Sequence, residues 1–344
     1  MNSATHLSAD TLEQILHTRD NDHRPLVSAW EQRFGVRWHE PSGGRFDASA
    51  RLSVVIPARD RAYSIGAVLD ALHAQRPARD LEIIVVDDDS GDRTPEIVAA
   101  HPAAPVLVRL PQRRGPGAAR NAGASRATGE TLLFLDADMV LPPGAVHELA
   151  LRASPQTALL GFFEEVRYDR GNGGHRIPDR TPRLEADYRV LWERGRGRMV
   201  GSDGEPVETP ERIRLLDDTH DLADLGLGRR HWMWDLPRTV LGKLFTVPRR
   251  SLVEVGGFHP SFQGWGCEET HLAALLIASG LKVVPVRCVS GYHLGEPDPS
   301  GSLREKMRTW PGNLDQYRRL LGSPPEPDGA ARFADRVQEA LGVH

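Results

Sequence analysis

The sequence has very little cysteine and no long apolar run. Cys267 and Cys288 are the only cysteines among 344 residues, so we expect two buried, reduced thiols rather than a disulfide framework. No apolar segment reaches the ~20 residues of a membrane-spanning helix, and the acidic N-terminus lacks the apolar core of a signal peptide. We therefore expect a cytoplasmic protein without an integral membrane segment.

The chain also lacks lysine and any excess of positive charge. Only three of its 43 basic residues are lysines, and this bias, with abundant alanine and glycine, is typical of a GC-rich bacterial genome. The net charge of −4 provides no bulk attraction to nucleic acid, so no nucleic-acid partner is expected. Apolar content of 40% and charged content of 26% are those of a globular protein.

Short apolar runs alternate with helical patterns from residue 51 onward. The runs LSVVIP, LEIIVV, APVLVRL and TLLFLDADMVL predict four strands, and helical periodicity follows each of the first three. Alternation of this kind predicts an α/β fold with a doubly wound, mostly parallel sheet. Residues 1–50 and 296–344 are predicted to be helical extensions, and residues 161–247 an irregular, substrate-facing insertion.

Polar clusters follow three of the predicted strands, at residues 58–60, 87–90 and 136–138. Ligands bind such sheets beyond the carboxyl ends of the strands, so the clusters are expected to meet at one edge. Asp136 and Asp138 either end the strand as turn residues or hold Mg²⁺ or Mn²⁺ together with substrate phosphates. The acids at 87–89 leave the same choice between a turn and a contact to a nucleotide.

The segment RRGPGAARN, residues 113–121, raises a dinucleotide-binding hypothesis that its spacing does not support. Arg120 stands where the third glycine of the fingerprint belongs, and the segment precedes the third predicted helix rather than the first. A nicotinamide-dependent dehydrogenase is therefore rejected. Arg114 and the helix N-terminus that follows it remain suited to a phosphate group.

A second informative segment is FQGWGCEETHLAALL, in which Trp265 lies between two glycines and precedes Glu268 and Glu269. The two acids either complement the dipole of a helix that begins there, worth ~0.3–1 kcal/mol, or supply a general base beside an aromatic platform. His293, after the predicted strand LKVVPVRCV, is either a structural histidine or a ligand.

Together these motifs resemble the family 2 glycosyltransferases of GT-A fold. LSVVIPARDR, LEIIVVDDDSGD and GAARNAGASRATGETLLFLDADMVL resemble, in this order, the nucleotide-binding half of that family. VGGFHPSFQGWGCEETHLAALLIASG resembles the acceptor half shared with β-1,4-galactosyltransferases and polypeptide N-acetylgalactosaminyltransferases. The resemblance implies a nucleotide-sugar-binding half (51–150) and an acceptor-binding and catalytic half (151–295), which lie between the helical extensions predicted at 1–50 and 296–344.

The resemblance also implies a role for each matching residue. In the D-x-D motif Asp138 would bind Mn²⁺ or Mg²⁺, with His293 as a second metal ligand. Glu268 would hold the sugar or the acceptor, and Glu269 matches the position of the catalytic base. The remaining residues would contact substrate, including the base of a nucleotide expected to be UDP: Pro57, Ala58, Arg59, Asp60, Asp88, Arg114, Asp136, Ala137, Trp265 and Gly266.

The implied reaction is a direct displacement at the anomeric carbon of a nucleotide sugar by a hydroxyl of a small-molecule or glycan acceptor. Relatives have aspartate where this chain has Glu269, so the choice between Glu268 and Glu269 as the base stays open. A single base favours inversion of configuration, whereas the polypeptide transferases retain it. A nucleotidyltransferase and a non-catalytic sugar-binding module are the alternatives, and a homodimer stays open.

Overall fold

The structure is a computed structural model that describes residues 10–48, 50–75, 81–187, 189 and 236–343, apart from the side chains of residues 302 and 303. Most of the predicted insertion, residues 190–235, lies outside the described residues. Within them, no helix combines the length and apolarity needed to cross a bilayer.

An eight-stranded sheet forms the centre of the described structure, in the order β3-β2-β1-β4-β9-β6-β10-β5. Strands β1, β2, β3 and β4 are parallel to one another, as are β6 and β10, whereas β9 runs antiparallel between β4 and β6. Strands β7 and β8 form a separate hairpin. The strands are β1 (Leu52–Ala58), β2 (Glu82–Asp87), β3 (Val106–Arg109), β4 (Thr131–Leu135), β5 (Met139–Val140), β6 (Thr157–Val166), β7 (Tyr168–Asp169), β8 (Gly174–His175), β9 (Leu244–Pro248) and β10 (Lys282–Leu294).

Helices cover both faces of this sheet, and alternate strand residues supply two apolar cores. Val55 of β1 belongs to the core beneath α5 and α9, whereas its neighbours Val54 and Ile56 belong to the core beneath α3 and α6. The predicted α/β class with a mostly parallel sheet is thus confirmed. The helices are α1 (Leu12–His17), α2 (Arg24–Phe34), α3 (Ile65–His73), α4 (Thr94–Ala99), α5 (Pro116–Arg126), α6 (Ala145–Arg152), α7 (Leu236–Thr239), α8 (Arg249–Glu254), α9 (Glu268–Ala278), α10 (Pro299–Leu321) and α11 (Gly329–Leu341).

The run predicted as one fourth strand is two strands separated by a turn. β4 ends at Leu135, and the Met139 N–H donates to the Asp136 carbonyl across the turn at 3.0 Å. β5 then pairs antiparallel with β10, so that Met139 lies opposite His293. The acids therefore lie in a turn whose two ends are both anchored in the same sheet.

The prediction of an irregular segment from residue 161 was wrong at its start, whereas the run LFTVP at its end is a strand, as its apolar pattern predicts. Residues 161–166 continue β6, and residues 244–247 belong to β9 in the middle of the sheet. Gly161 interrupts the apolar pattern because β9 approaches closely: a Cβ at this position would lie 2.5 Å from Leu244 Cγ. The glycine serves strand packing and does not mark a loop.

A buried arginine joins the N-terminal residues to the domain. Arg152 on α6 is 2% exposed, forms an ion pair with Glu148 at 2.5 Å and donates to the backbone carbonyl of Trp38 at 2.9 Å. Its guanidinium lies 4.4 Å from the centroid of the Trp30 ring, a cation–π distance. Ser42 donates to the same Glu148 carboxylate. Residues 30–42 are therefore held by a shared buried charge pair.

We predict that Arg152→Met destabilises the protein by about 3–5 kcal/mol, because it leaves the buried Glu148 carboxylate without its cation. Denaturant unfolding at neutral pH measures the change. Arg250→Met is the control, since the Arg250–Glu254 pair on α8 is solvent-exposed and should contribute little. A loss below 1 kcal/mol for Arg152→Met would show that the pair does not hold these segments together.

Candidate active site

The polar clusters that follow β1 and β2 form one continuous surface, as expected. The Asp60 N–H donates to Ser90 Oγ at 3.0 Å, and the Gly91 N–H donates to Asp60 Oδ1 at 2.8 Å. Asp60 and Asp89 both have left-handed backbones, with φ of 53° and 60°. Such conformations cost energy outside glycine, and they concentrate at functional sites. Pro57 and Ala58 end the neighbouring strand β1.

Asp88 organises the loop that leads into α5. It is 4% exposed, and its carboxylate accepts from the Arg114 N–H at 2.6 Å and from the Gly115 N–H at 2.8 Å. Burial raises the pKa of Asp88 and these two hydrogen bonds oppose the rise. The contact of Asp88 with the nucleotide base stays a prediction. Such a contact would use the carboxylate lone pairs that the Arg114 and Gly115 N–H groups leave unoccupied. The Arg114 side chain lies 3.7 Å from Glu339 on α11, and its phosphate contact also stays a prediction.

Asp138 and His293 meet at the same edge of the sheet although 154 residues separate them in the chain. His293 Nε2 lies 3.3 Å from Asp138 Oδ1, and Arg61 Nε lies 3.6 Å from Asp138 Oδ2. Burial disfavours a charge on Asp138, but His293 and Arg61 outweigh it and hold the pKa of this carboxyl well below its usual range. Burial and Lys243 lower the pKa of His293, but the Asp138 carboxylate outweighs them and raises it.

The Asp138–His293 pair fits a divalent cation. Asp138 is 5% exposed, and its Oδ1 lies 3.3 Å from His293 Nε2, so a carboxylate oxygen and an imidazole nitrogen face each other at a buried position. Carboxylate oxygen and imidazole nitrogen suit Mn²⁺, and carboxylate oxygen suits Mg²⁺. No cluster of three or more acidic, histidine or cysteine side chains that could hold a metal occurs in the described part of the chain. A cation bound by these two side chains would complete its coordination with other oxygen ligands, such as water or phosphate.

Asp136 is turned toward a different partner. Its Oδ1 accepts from Arg120 Nη2 at 3.0 Å, and its side chain is 27% exposed. The buried Ala137 between the two acids accepts from Ser64 Oγ at 2.9 Å through its carbonyl. The two carboxylates of the D-x-D motif thus have separate surroundings, and only Asp138 lies beside His293.

Several charged side chains complete this edge, and the sequence analysis did not identify them. Glu165 of β6 lies 3.6 Å from His293 Nδ1, and Lys306 of α10 pairs with Glu296 at 3.0 Å. Burial lowers the pKa of Lys243, whose ammonium lies 4.4 Å from the Phe163 ring centroid. Two of the three lysines of the chain therefore lie at the site. Because nearly all other basic residues of the chain are arginines, the rare lysines could have been taken from the sequence as candidate site residues.

The G-W-G loop is held by α10. The Trp265 N–H donates to Thr309 Oγ1 at 3.2 Å, and Asn313 Nδ2 donates to the Trp265 carbonyl at 3.0 Å. Gly266 has φ of 101°, and a Cβ there would lie 2.8 Å from Trp310 Cδ1, so only glycine fits. Trp265 is 38% exposed, as a stacking platform requires. Its role in binding sugar stays a prediction.

Glu268 and Glu269 begin α9 but differ in environment. Glu268 is 4% exposed and lies 3.3 Å from Arg120 Nη1. Burial and the neighbouring Glu269 raise the pKa of Glu268 well above its ordinary value of 4.5, and the nearby Arg120 guanidinium opposes this rise. A raised pKa favours the protonated form of the carboxyl, which donates a hydrogen bond. Glu269 has a buried Oε2 that accepts no hydrogen bond from the described residues.

A cavity of about 520 Å³ lies beside Glu268. It is bounded by the N-terminus of α5, by the loop that precedes α9 and by α10 and α11. Both charged and apolar groups line it, among them Arg113, Arg114, Gly117, Phe262, Arg308 and Arg336. Its volume is in the range of small-molecule sites.

Comparisons with known proteins indicate a glycosyltransferase. Residues 53–199 match the family model "Glycosyl transferase family 2". Validoxylamine A glucosyltransferase of Streptomyces hygroscopicus subsp. jinggangensis (strain 5008) is 30% identical over 249 residues, which cover 69% of this chain and 53% of that protein. The chain thus spans about half the length of the first two curated relatives that it matches.

Two solved structures establish the fold. S. aureus TarS 1–349 in complex with UDP-GlcNAc has a TM-score of 0.52 and 16% identity, covering 85% of this chain and 71% of that one. GalNAc-T7 with UDP, GalNAc and Mn²⁺ has a TM-score of 0.50 and 16% identity, covering 93% of this chain and 65% of that one. These similarities confirm the GT-A fold and, at such low identity, bear on the fold alone.

We predict that the free energy of unfolding of the wild type decreases, compared with that of Glu268→Gln, as the pH rises above about 4.5. The decrease should continue up to the raised pKa that Glu268 has in the folded protein. In this window the folded state keeps a proton that the unfolded chain has released, and glutamine cannot titrate. Denaturant unfolding of both proteins from pH 4 to pH 8 measures the difference.

Glu305→Gln is the matched control for the sign of this effect. A hydrogen bond from Arg113 lowers the pKa of Glu305, so the wild type should gain stability relative to this variant as the pH rises. A pH-independent difference between the wild type and Glu268→Gln would mean that Glu268 titrates normally in the folded protein.

Proposed function

Because the chain belongs to glycosyl transferase family 2 and has the GT-A fold, we propose that it transfers a sugar from a nucleotide diphosphate sugar to a hydroxyl of a small-molecule or glycan acceptor. The expected nucleotide is UDP. The observation that carries the proposal is the meeting of Asp138 and His293 at the carboxyl edge of the sheet, beside a cluster of cationic side chains. That arrangement suits a diphosphate better than an uncharged ligand.

The donor would lie along this edge. Asp138 and His293 would hold Mn²⁺ or Mg²⁺ together with diphosphate oxygens, and the cation would neutralise charge on the departing diphosphate. Arg61, Lys243 and Lys306 add positive charge from the protein itself. TarS was solved with UDP-GlcNAc and GalNAc-T7 with UDP, GalNAc and Mn²⁺, and we propose the same classes of donor and cation for this chain.

The acceptor would lie beside the start of α9, near Glu268 and Glu269, with Trp265 as a platform for a sugar ring. Glu269 would take the proton from the attacking hydroxyl, because the raised pKa of Glu268 favours its protonated form and so its use as a hydrogen-bond donor. Glu268, as a hydrogen-bond donor, would hold the sugar or the acceptor. With one base and direct attack on the anomeric carbon, the reaction would invert configuration.

We predict that release of UDP from a UDP-sugar in the presence of acceptor requires Mn²⁺ or Mg²⁺ and stops when EDTA is added. Asp138→Asn should lose the dependence on metal together with most of the activity, because amide oxygen is a weaker ligand than carboxylate. A coupled assay of UDP measures both effects across a panel of UDP-sugars. Full activity of Asp138→Asn would refute the metal assignment, and release of pyrophosphate instead would indicate a nucleotidyltransferase.

We predict that Glu269→Gln lowers kcat by ~10²–10⁴-fold, the usual contribution of a general base, while the Kd for UDP stays within threefold of the wild type. Steady-state kinetics and calorimetric titration with UDP give the two values. Glu254→Gln on α8 is the control, since Glu254 is exposed and pairs only with Arg250 among the described contacts. Wild-type kcat in Glu269→Gln would contradict the role of Glu269, and loss of UDP binding would show that Glu269 serves the donor.

A further inference from the structure

Arg120 of α5 contacts a carboxylate from each half of the site. Its Nη2 donates to Asp136 Oδ1 at 3.0 Å and its Nη1 to Glu268 Oε1 at 3.3 Å. We propose that Arg120 is a positioning residue that holds the donor-side carboxylate of Asp136 at a set distance from the start of α9, where Glu268 and Glu269 lie. This inference rests on the proposed function, since it concerns how the donor and the base are kept in register.

The environment of Arg120 indicates that the residue positions the two carboxylates and does not only fill space in the core. The residue is 3% exposed, its guanidinium lies 5.4 Å from the Phe258 ring centroid, and its buried Nε donates no hydrogen bond to the described residues. A buried charge with an unsatisfied donor is a costly way to fill space, and apolar side chains of similar volume often stabilise such positions equally well. Two carboxylates at fixed positions, however, need the rigid fork of an arginine.

Gly242 keeps the guanidinium in this place. A Cβ on residue 242 would collide with Arg120 Nη2 and lie 2.7 Å from its Cζ. The next residue, Lys243, accepts a hydrogen bond from the Asp136 N–H through its carbonyl at 3.2 Å. Residues 242 and 243 therefore touch both the side chain that bridges the two carboxylates and the backbone of one of them.

The geometry leaves one oxygen of Asp136 for a substrate. Asp136 Oδ1 is engaged by Arg120, while the side chain as a whole is 27% exposed. The exposed part suits a hydroxyl of the donor, either of its ribose or of its sugar. If Arg120 moved, Asp136 would lose its fixed orientation and Glu268 would lose the cation beside it. Both the donor and the catalytic helix would be affected by a single displacement.

Gly242→Ala tests this inference with every charged group retained, because the added methyl group displaces the guanidinium. We expect kcat to fall at least tenfold and the KM for the UDP-sugar to rise. The Kd for UDP alone should stay within threefold, since residues 57–60 and Asp88 are untouched. Arg120→Lys, which can reach only one carboxylate at a time, should show the same pattern.

The matched control is Gly129→Ala, before the other end of β4. A Cβ there would meet Ser53 Oγ at 2.6 Å and the Arg51 carbonyl at 2.7 Å, so the steric change is similar but remote from the carboxylates. We expect this variant to lower Tm without the change in kcat. If Gly242→Ala and Gly129→Ala lower Tm alike and both keep wild-type kcat and KM, Arg120 has a structural role only and the inference is overturned.

Crystal structures separate this inference from the proposed function. In Gly242→Ala we expect Asp136 and Glu268 to move from their wild-type positions as the guanidinium is displaced. Unchanged positions of both carboxylates would overturn the positioning role even if the enzyme is active. If the wild type transfers no sugar from any nucleotide sugar, the proposed function fails, and the displacement of the two carboxylates still decides the role of Arg120.

Discussion

The two-residue strand β5 pairs with the last strand of the sheet, and this pairing fixes the candidate metal site. Met139 lies opposite His293, and the Leu294 N–H donates to the Asp138 carbonyl at 2.7 Å. A turn that would otherwise be mobile is thereby anchored on both sides. The side chains of Asp138 and His293 then meet without any contact that depends on a flexible loop. A rigid scaffold of this kind lets a few side chains act on a charged ligand without large reorganisation.

The second half of the site depends on a division of labour between adjacent acids. Glu268 is buried against Arg120 and has a raised pKa, whereas Glu269 is the residue we assign as the base. Arg120 connects this pair to Asp136 and hence to the turn between β4 and β5. The chemistry that we propose for the donor and for the acceptor is therefore joined through one buried guanidinium rather than through the surface.

Local sequence patterns were sufficient for the strands and for the acids that follow them. Asp88, Asp136 and Asp138 each follow an apolar, β-branched or leucine-rich run, so both their existence and their shared edge could be predicted. The start of α9 after the G-W-G loop was also predictable, because acids are favoured in a first helical turn. These features depend on residues that are neighbours in the chain.

Contacts between distant segments were not predictable in this way. The strand β6 was missed because Gly161, which makes room for Leu244, breaks the apolar pattern and looks like the start of a loop. Arg120 was noted only for breaking a glycine fingerprint, since nothing near it in sequence indicates two carboxylate partners. Likewise the charge of Lys243 is stabilised by Glu165 and Asp138, which are close to it in space but distant in the chain.

The most direct test of the central claim is a crystal structure of the protein with UDP and Mn²⁺, recorded at the manganese absorption edge. The account predicts one anomalous peak within bonding distance of Asp138 and His293, with oxygens of the UDP diphosphate completing the coordination. A diphosphate bound only by arginine and lysine side chains, with no manganese at Asp138, would contradict it.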